Sequence, residues 1–320
     1  SNTTDIVMSE GFNEEDVFLT SSLHTTKLYG HLLGNQTGEA KPYLDIVILN
    51  PDLSESDLTT TSDGTGYYEL PYVPHGFRRI KVKDETSIHM ETLLYVETLD
   101  KLFNIPIKEP FEFVDERDQK TYKAVLIGGQ TWMMENLAFL PEVSPATASK
   151  GMWVYGYYGN SSQEAKETNY YKKYGCLYEW TTAVADSFGN GKDICPIGWH
   201  LPSDMEFTIL QRTLGMDENR VDSVGWILSG DVGMKLKASS GWEEDGNGSN
   251  SSSFTALPGG NRSTGKVFLG VVGYGTFWTA TEFEDQYAWR RYLYYNRDAL
   301  GRFTDLRANG YSVRCVKDTR

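Results

Sequence analysis

The chain has 320 residues, enough for two domains that each bury a core. Its formal net charge of −14 argues against binding to nucleic acid or an anionic membrane, since both need clustered Lys and Arg. No apolar stretch reaches the roughly 18 residues of a transmembrane segment, and the start at Ser1 without Met is compatible with a processed product whose export signal has been removed.

Charge and aromatic residues are distributed unevenly along the chain. Residues 1–115 carry 20 acids and 8 bases (net −12), whereas residues 116–320 carry 24 and 22 (net −2). All eight tryptophans lie in the second part. We therefore predict a polar leader or linker at 1–25, a first domain at 26–115 and a second domain at 116–320.

Short β-rich runs separated by turn residues dominate the first domain, which predicts an all-β antiparallel sandwich. The order of its parts resembles the carboxypeptidase regulatory-like, transthyretin-type sandwich, whose members are mostly spacers or accessory modules of exported proteins. The resemblance rests on Gly30 in a first strand, a second strand at Ile46 to Leu49, the block Thr61 to Tyr68, and Val73-Pro74-His75-Gly76.

The second domain begins with a predicted hairpin over Tyr122 to Trp132, turned by Gly128-Gly129. Residues 141–172 are predicted to form a loop, and Leu177 to Ala185 a short helix. Ser203 and Glu206 form a capping-box pattern that predicts a helix starting at Asp204. Short β-like runs then close the domain.

Seven blocks of the second domain, in order, resemble the Fibrobacter succinogenes major paralogous domain. That resemblance implies an α+β, C-type lectin-like fold with short strands and long loops, found on exported surface proteins of the Bacteroidetes group. It therefore implies a binding module that is not catalytic. The blocks are Gly129 to Leu137, Tyr174 to Trp180, Cys195 to Asp204, Leu236 to Trp242, Phe254 to Arg262, Phe277 to Glu282 and Ser312 to Asp318.

The resemblance also bears on the three cysteines, because Cys195 and Cys315 occupy the family's cysteine positions and are expected to form a disulfide. Cys176 departs from the family pattern and is left unpaired. The alternative is that all three are reduced, buried residues.

Aromatic residues in loops outside the family blocks are the candidates for ligand contact, because aromatic faces stack on the C–H face of sugar rings. Trp132, Trp180, Trp199 and Trp278 lie inside the blocks and are assigned to packing. The candidates are Trp153, Tyr155, Tyr157, Tyr158, Trp242, Tyr287 and Trp289.

Asp245, Asn247 and Ser249 offer oxygen atoms at alternate positions, as a calcium loop does. The Glu-Pro-Asn and Trp-Asn-Asp triplets of calcium-dependent lectins are absent, so a solvated loop is the default and a Ca²⁺ site the alternative. His200, close to Asp204 and Glu206, could be drawn as an acid/base pair, but acids at a helix N-terminus are already explained by the helix dipole.

Together these features predict a non-catalytic protein at the cell surface, lipid-anchored or secreted, that recognises a glycan or an extracellular protein. An adhesin or pilus-tip subunit that pairs by strand addition is the second hypothesis. A third is a formylglycine-generating-type oxidase that uses Cys176 and Cys315 as a redox pair, although no other oxidase motif is present.

Overall fold

A computed structural model describes residues 25–34, 37–52, 54–85, 88–96, 100–107, 109–127, 129–187 and 191–318. The predicted leader lies outside the described residues, apart from Thr25. The chain divides into two compact units, Ser1–Lys108 and Glu109–Arg320. This division precedes the predicted boundary at 115 because the strand Phe111–Asp115 pairs with Lys120–Ile127 of the second unit.

The first unit is built from eight described strands in two four-stranded sheets. One sheet has the order β4-β1-β7, with β8 also pairing with β1, and the other has the order β3-β2-β5-β6. Their bounds are β1 Thr25–Gly34, β2 Asp45–Leu49, β3 Glu55–Thr61, β4 Tyr67–Pro74, β5 Gly76–Lys83, β6 Ile88–Val96, β7 Lys101–Leu102 and β8 Ile105–Ile107.

One apolar core joins these two sheets. Alternate residues of β1 and β4 point inward, including Leu28 and Leu70, and meet Ile46 and Ile80 from the opposite sheet. Gly30 is needed where β1 passes the following chain, since a Cβ there would lie 2.3 Å from the carbonyl oxygen of Phe103. The first unit is thus two β-sheets packed face to face, and its transthyretin-type topology stays a prediction.

The second unit is also mostly β. Its sheets have the orders β14-β22-β11-β10-β9 and β12-β13-β21-β16-β18-β19-β20-β15, with β17 pairing with β16. The strands are β9 Phe111–Asp115, β10 Lys120–Ile127, β11 Gln130–Met133, β12 Met152–Trp153, β13 Leu177–Glu179, β14 Trp199–His200, β15 Gly225–Ile227, β16 Gly259–Arg262, β17 Phe268–Val271, β18 Tyr274–Glu284, β19 Tyr287–Tyr294, β20 Leu300–Leu306, β21 Gly310–Tyr311 and β22 Val316–Lys317.

The helices of the described chain are few, short and confined to the second unit. They are α1 Ser162–Glu167, α2 Asn169–Tyr174, α3 Trp180–Ala183, α4 Asp204–Thr213 and α5 Val232–Leu236. In the residues that the structure describes, none is long and apolar enough to cross a lipid bilayer. The described chain is therefore mostly β with a few short helices, and the C-type lectin-like assignment stays a prediction.

Two local predictions are confirmed. Residues 124–127 pair with 130–133 as an antiparallel hairpin, and α4 begins at Asp204 with both capping-box hydrogen bonds of Ser203 and Glu206 present. Two are wrong. Leu177–Glu179 is a strand rather than the start of a helix, and the predicted loop 141–172 contains α1, capped by Ser161, and most of α2.

The core of the second unit encloses the four tryptophans that were assigned to packing. Each is at most 6% exposed. A disulfide joins Cys195 to Cys315, with the two Cα atoms 6.0 Å apart, as expected. It connects the chain just before β14 with the residue preceding β22, and both cysteines belong to one buried apolar cluster of the second unit.

Candidate functional site

Four tyrosines and one phenylalanine gather beside β12, where the sequence predicted ligand-contacting loops. The ring centroids of Tyr155 and Phe268 are 5.4 Å apart, and that of Tyr158 is 5.5 Å from Phe268. Tyr155 also lies 5.2 Å from Tyr170, which stacks on Tyr174 at 6.4 Å. These five residues are called the tyrosine cluster below.

A buried tryptophan and arginine support this cluster from beneath. The guanidinium of Arg262 lies 3.9 Å from the ring centroid of Trp153 and donates to the carbonyl oxygens of Ala146 and Ala148. Trp153 packs with Phe268 in the same apolar cluster, against which Tyr155 is packed. Tyr155 and Phe268 of the tyrosine cluster therefore pack against buried side chains.

The outer rings of the tyrosine cluster face solvent. Tyr158 is 69% exposed and Tyr170 is 41% exposed, whereas Phe268 is buried. Burial raises the pKa of Tyr155, so its phenol stays neutral at physiological pH. Exposed phenol rings on a packed base can stack on an apolar ligand face, and a phenol hydroxyl group can both donate and accept a hydrogen bond.

Tyr157 lies at the edge of this region. Its hydroxyl group donates to Glu164 Oε2 at 3.0 Å and accepts from the backbone N–H of Ser161 at 3.2 Å. These two hydrogen bonds attach the start of α1 to the loop that carries Tyr157. Tyr157 therefore stabilises the chain beside the tyrosine cluster.

The structure does not bring all the predicted ligand residues together. Trp153 is fully buried and Trp242 is 5% exposed, so both indoles are core residues, which corrects their predicted ligand role. Tyr287 and Trp289 lie on β19, where Trp289 contacts Phe283 at 5.1 Å and the Arg302 guanidinium at 3.8 Å.

The predicted calcium loop is held by the protein's own hydrogen bonds. Asn247 Oδ1 accepts from the backbone N–H of Trp242 at 3.0 Å, and Ser249 Oγ donates to the carbonyl oxygen of Met234 at 3.3 Å. Asp245 sits at a positive φ of 58°. Within the described residues, no group of three or more His, Cys, Asp or Glu side chains could hold a metal ion.

His200 is enclosed by two carboxylates. Its Nε2 lies 2.7 Å from Glu206 Oε1 and its Nδ1 2.6 Å from Asp318 Oδ1. The hydrogen bond with Glu206, together with that to Asp318, raises the pKa of the imidazole. Because both ring nitrogens are engaged, the group links β14, α4 and the chain after β22 instead of presenting a free base.

The cysteines do not form the redox pair of the oxidase hypothesis. Cys315 is bonded to Cys195, and Cys176 is fully buried. Burial raises the pKa of the Cys176 thiol to about 12, which leaves it protonated and unreactive at neutral pH.

Sequence reasoning missed a second aromatic surface, on β15 and β18 to β20. The alternation of Arg290, Tyr292 and Tyr294 along β19 was a usable signal, because alternate strand residues share a face. No local pattern connects these residues with Trp226, which reaches them only through strand pairing.

Fold and site together define a mostly β, two-unit protein with exposed aromatic side chains on the second unit. The Fibrobacter succinogenes major domain matches residues 125–317, more than half of the chain. This protein belongs to that family, as the sequence blocks predicted.

Two solved structures show a distant likeness. A proposed carbohydrate-binding protein from Bacteroides uniformis ATCC 8492 is 13% identical, with a TM-score of 0.23, over 34% of this chain and 52% of that one. This chain thus spans about half the length of that protein. A fimbrial protein from Bacteroides ovatus ATCC 8483 is 12% identical, with a TM-score of 0.22, over 92% of this chain and 70% of that one. The comparison with curated proteins gave no match.

Proposed function

We propose that this protein is a non-catalytic, exported binding protein and that the tyrosine cluster receives a sugar ring of a glycan. The observation that supports it most is that exposed Tyr158 packs on buried Phe268, and exposed Tyr170 packs on Tyr155, which itself contacts Phe268. Large apolar rings exposed near one another are costly in a soluble protein unless they serve a contact.

The chemistry of the cluster suits a pyranose. The C–H face of the sugar would lie on a tyrosine ring, and hydroxyl groups would meet the phenol oxygens and the exposed side chains of Asn160 and Asn169. Lys173, whose Nζ lies 5.1 Å from the Tyr174 ring centroid, adds a further donor at the edge.

The histidine and cysteine side chains that the sequence offered for acid/base or redox catalysis have structural roles instead. His200 is bonded to two carboxylates, Cys176 is buried, and Cys315 is in a disulfide. This use supports binding without catalysis.

The disulfide also supports export. Disulfides form and persist in oxidising compartments and are rare in the cytosol. The Cys195–Cys315 bond and the resemblance to exported surface proteins both favour a site outside the cytoplasm, either secreted or attached to the outer cell surface.

A second candidate function is an adhesin or pilus subunit that receives a strand from a partner. The observation that favours it is β6, a nine-residue strand at the end of its sheet, with Tyr95 51% exposed. An open edge strand is a template for strand addition. Slower amide exchange confined to β6 in the presence of a partner subunit would support this function, whereas unchanged exchange would argue against it.

The test of the glycan proposal is binding to a panel of immobilised glycans, followed by titration of the best oligosaccharide. Loss of one stacking ring, worth about 1.5 kcal/mol, should weaken binding roughly tenfold in Tyr158→Ala and in Tyr170→Ala. Tyr72→Ala is the matched control, because Tyr72 is 68% exposed but lies on the first unit. Equal affinity of Tyr158→Ala and the wild type, or no binding to any glycan, would disprove the proposal.

A further inference from the structure

The second aromatic surface consists of Trp226, Tyr274, Tyr292, Tyr294 and Phe303, called the aromatic face below. The ring centroid of Trp226 lies 5.0 Å from Tyr292 and 5.7 Å from Phe303. Tyr274 lies 5.2 Å from Tyr294. Each of the five rings is partly exposed, so the face is open to solvent while its edges pack against one another.

Strand pairing fixes the relative positions of the residues in this face. Gly301 is paired with both Trp226 and Tyr292, and a Cβ at this position would lie 2.5 Å from Phe303 Cε2. The glycine therefore leaves the space in which the rings meet. Val224 and Leu228, 66% and 64% exposed, lie directly before and after β15 and extend the apolar area around Trp226.

Two exposed arginines border the aromatic face. The guanidinium of Arg297 lies 5.0 Å from the Trp226 ring centroid, and Arg220 Nη1 donates to the carbonyl oxygen of Leu228 at 2.8 Å. Neither guanidinium has a carboxylate within ion-pair distance in the described part of the chain, although Asp222 and Asp298 are exposed nearby in sequence.

Two neighbouring arginines, in contrast, each form an ion pair with an aspartate. Arg290 Nε lies 3.0 Å from Asp305 Oδ2, and Arg302 Nη2 lies 2.7 Å from Asp204 Oδ2. The face therefore combines stacking rings with two cations whose charge is not neutralised by an ion pair, in a chain of net charge −14. At physiological ionic strength charges beyond about 8 Å are largely screened, so the charges beside the aromatic face, rather than the net charge of the chain, decide what this surface attracts.

We propose that the aromatic face binds an oligosaccharide containing uronic acid, at a site separate from the tyrosine cluster. The C–H face of a pyranose stacks on Trp226 and Tyr292, and the carboxylate of the sugar pairs with Arg297 and Arg220. An exposed cation–π contact is weaker than a charge-assisted hydrogen bond, so Arg297 leaves the indole face when a carboxylate is available.

The probe is trigalacturonate, compared with its neutral methyl ester by calorimetric titration of the full chain. We expect the free acid to bind at least tenfold more tightly than the ester, with an affinity that falls as salt is added. Arg297→Gln and Arg220→Gln should each lose about tenfold, because each removes one charge-assisted contact to the carboxylate. Lys150→Gln, which changes an exposed cation elsewhere, should bind like the wild type.

Equal binding of acid and ester, unchanged affinity in Arg297→Gln, or no binding by the wild type would each overturn the proposal. Trp226→Ala is a second variant, checked by its thermal unfolding, and Arg297→Gln remains informative if that variant is unstable. Tyr158→Ala separates the two sites: if it abolishes uronate binding, the ligand sits on the tyrosine cluster and the aromatic face is not the site.

Discussion

Oδ1 of Asp204 lies 2.5 Å from Nη1 of Arg291, an arginine whose side chain is completely buried. Asp204 is the first residue of α4 and Arg291 lies on β19, so the pair joins the helix to the long sheet. Arg302 Nη2 is bonded to the other oxygen of the same carboxylate at 2.7 Å. Burial alone would raise the pKa of Asp204, but the hydrogen bond from Arg302 and the charge of Arg291 lower it.

Removing this carboxylate should destabilise the second unit strongly. Asp204→Ala leaves the Arg291 guanidinium buried without a counter-ion, so we expect a loss of about 3–5 kcal/mol in the free energy of unfolding. Denaturant unfolding followed by tryptophan fluorescence measures it. The control is Glu218→Ala, which breaks an exposed pair with Arg212 and should cost less than about 1 kcal/mol. Similar losses in both variants would contradict the role assigned to the buried pair.

The disulfide should contribute to stability through the closed segment of 120 residues. Replacing it in Cys195→Ser/Cys315→Ser should lower the free energy of unfolding by about 2–4 kcal/mol. Thiol titration checks the pairing: the native protein should show no reactive thiol, because Cys176 is buried with a raised pKa, and the unfolded, unreduced protein should show one. Three thiols on unfolding without reductant would disprove the bond.

Predictions from sequence succeeded where the determining contacts are local. The capping box of Ser203 fixes the start of α4, and the innermost pair of the hairpin of β10 and β11, Ile127 with Gln130, is only three residues apart in the chain. The family blocks identified the domain and its disulfide.

The candidate site was predicted less well, because exposure depends on distant packing. Trp153 and Trp242 lie in segments that the sequence predicted as loops. Arg262 packs on Trp153 and Gly275 lies against Trp242, and these contacts between residues distant in the chain place both indoles in the core. Trp226 was overlooked for the same reason: its partners on β19 and β20 are more than 60 residues away. The loop that carries Tyr155 and Tyr158 lies at the surface, so their ligand contact stays a prediction that the structure leaves open.

The His200 cluster should make stability depend on pH in a defined direction. The pKa of His200 is raised from its ordinary 6.5 by its hydrogen bonds to Glu206 and Asp318. The contribution of His200 to the free energy of unfolding is therefore complete below pH 6.5 and is lost as the pH rises through the raised pKa. Burial opposes the shift in Glu206, but hydrogen bonds from His200 and Ser203 lower its pKa below 4.5. The contribution of Glu206 to the free energy of unfolding is complete above pH 4.5 and is lost as the pH falls through the lowered pKa.

The difference in Tm between the wild type and His200→Gln should therefore be largest between pH 4.5 and 6.5 and should shrink above that window. Thermal unfolding across this range measures it. Met205→Ala, which removes an exposed side chain of α4 without a titratable group, is the control and should give a difference in Tm that does not change with pH. A constant difference for His200→Gln at all pH values would show that the cluster acts only by packing.

The loop that carries Asp245, Asn247 and Ser249 should behave as packed chain rather than as a calcium site. A Cβ at Gly248 would lie 2.4 Å from the carbonyl oxygen of Lys237 and 2.5 Å from that of Met234. Gly248→Ala should therefore cost about 1–3 kcal/mol of unfolding free energy, as overpacking does. Gly129→Ala is the control, because a Cβ there meets nothing within 4 Å and should change stability by less than about 0.5 kcal/mol.

Calcium provides the complementary measurement on the same loop. A bound ion at 100 times its dissociation constant would stabilise the fold by about 2.7 kcal/mol, an effect visible as a higher Tm. Because Asn247 and Ser249 already hydrogen-bond within the protein, we expect millimolar calcium to leave the Tm of the wild type unchanged. A rise in Tm that Asn247→Ala abolishes would show that the loop rearranges to bind the ion.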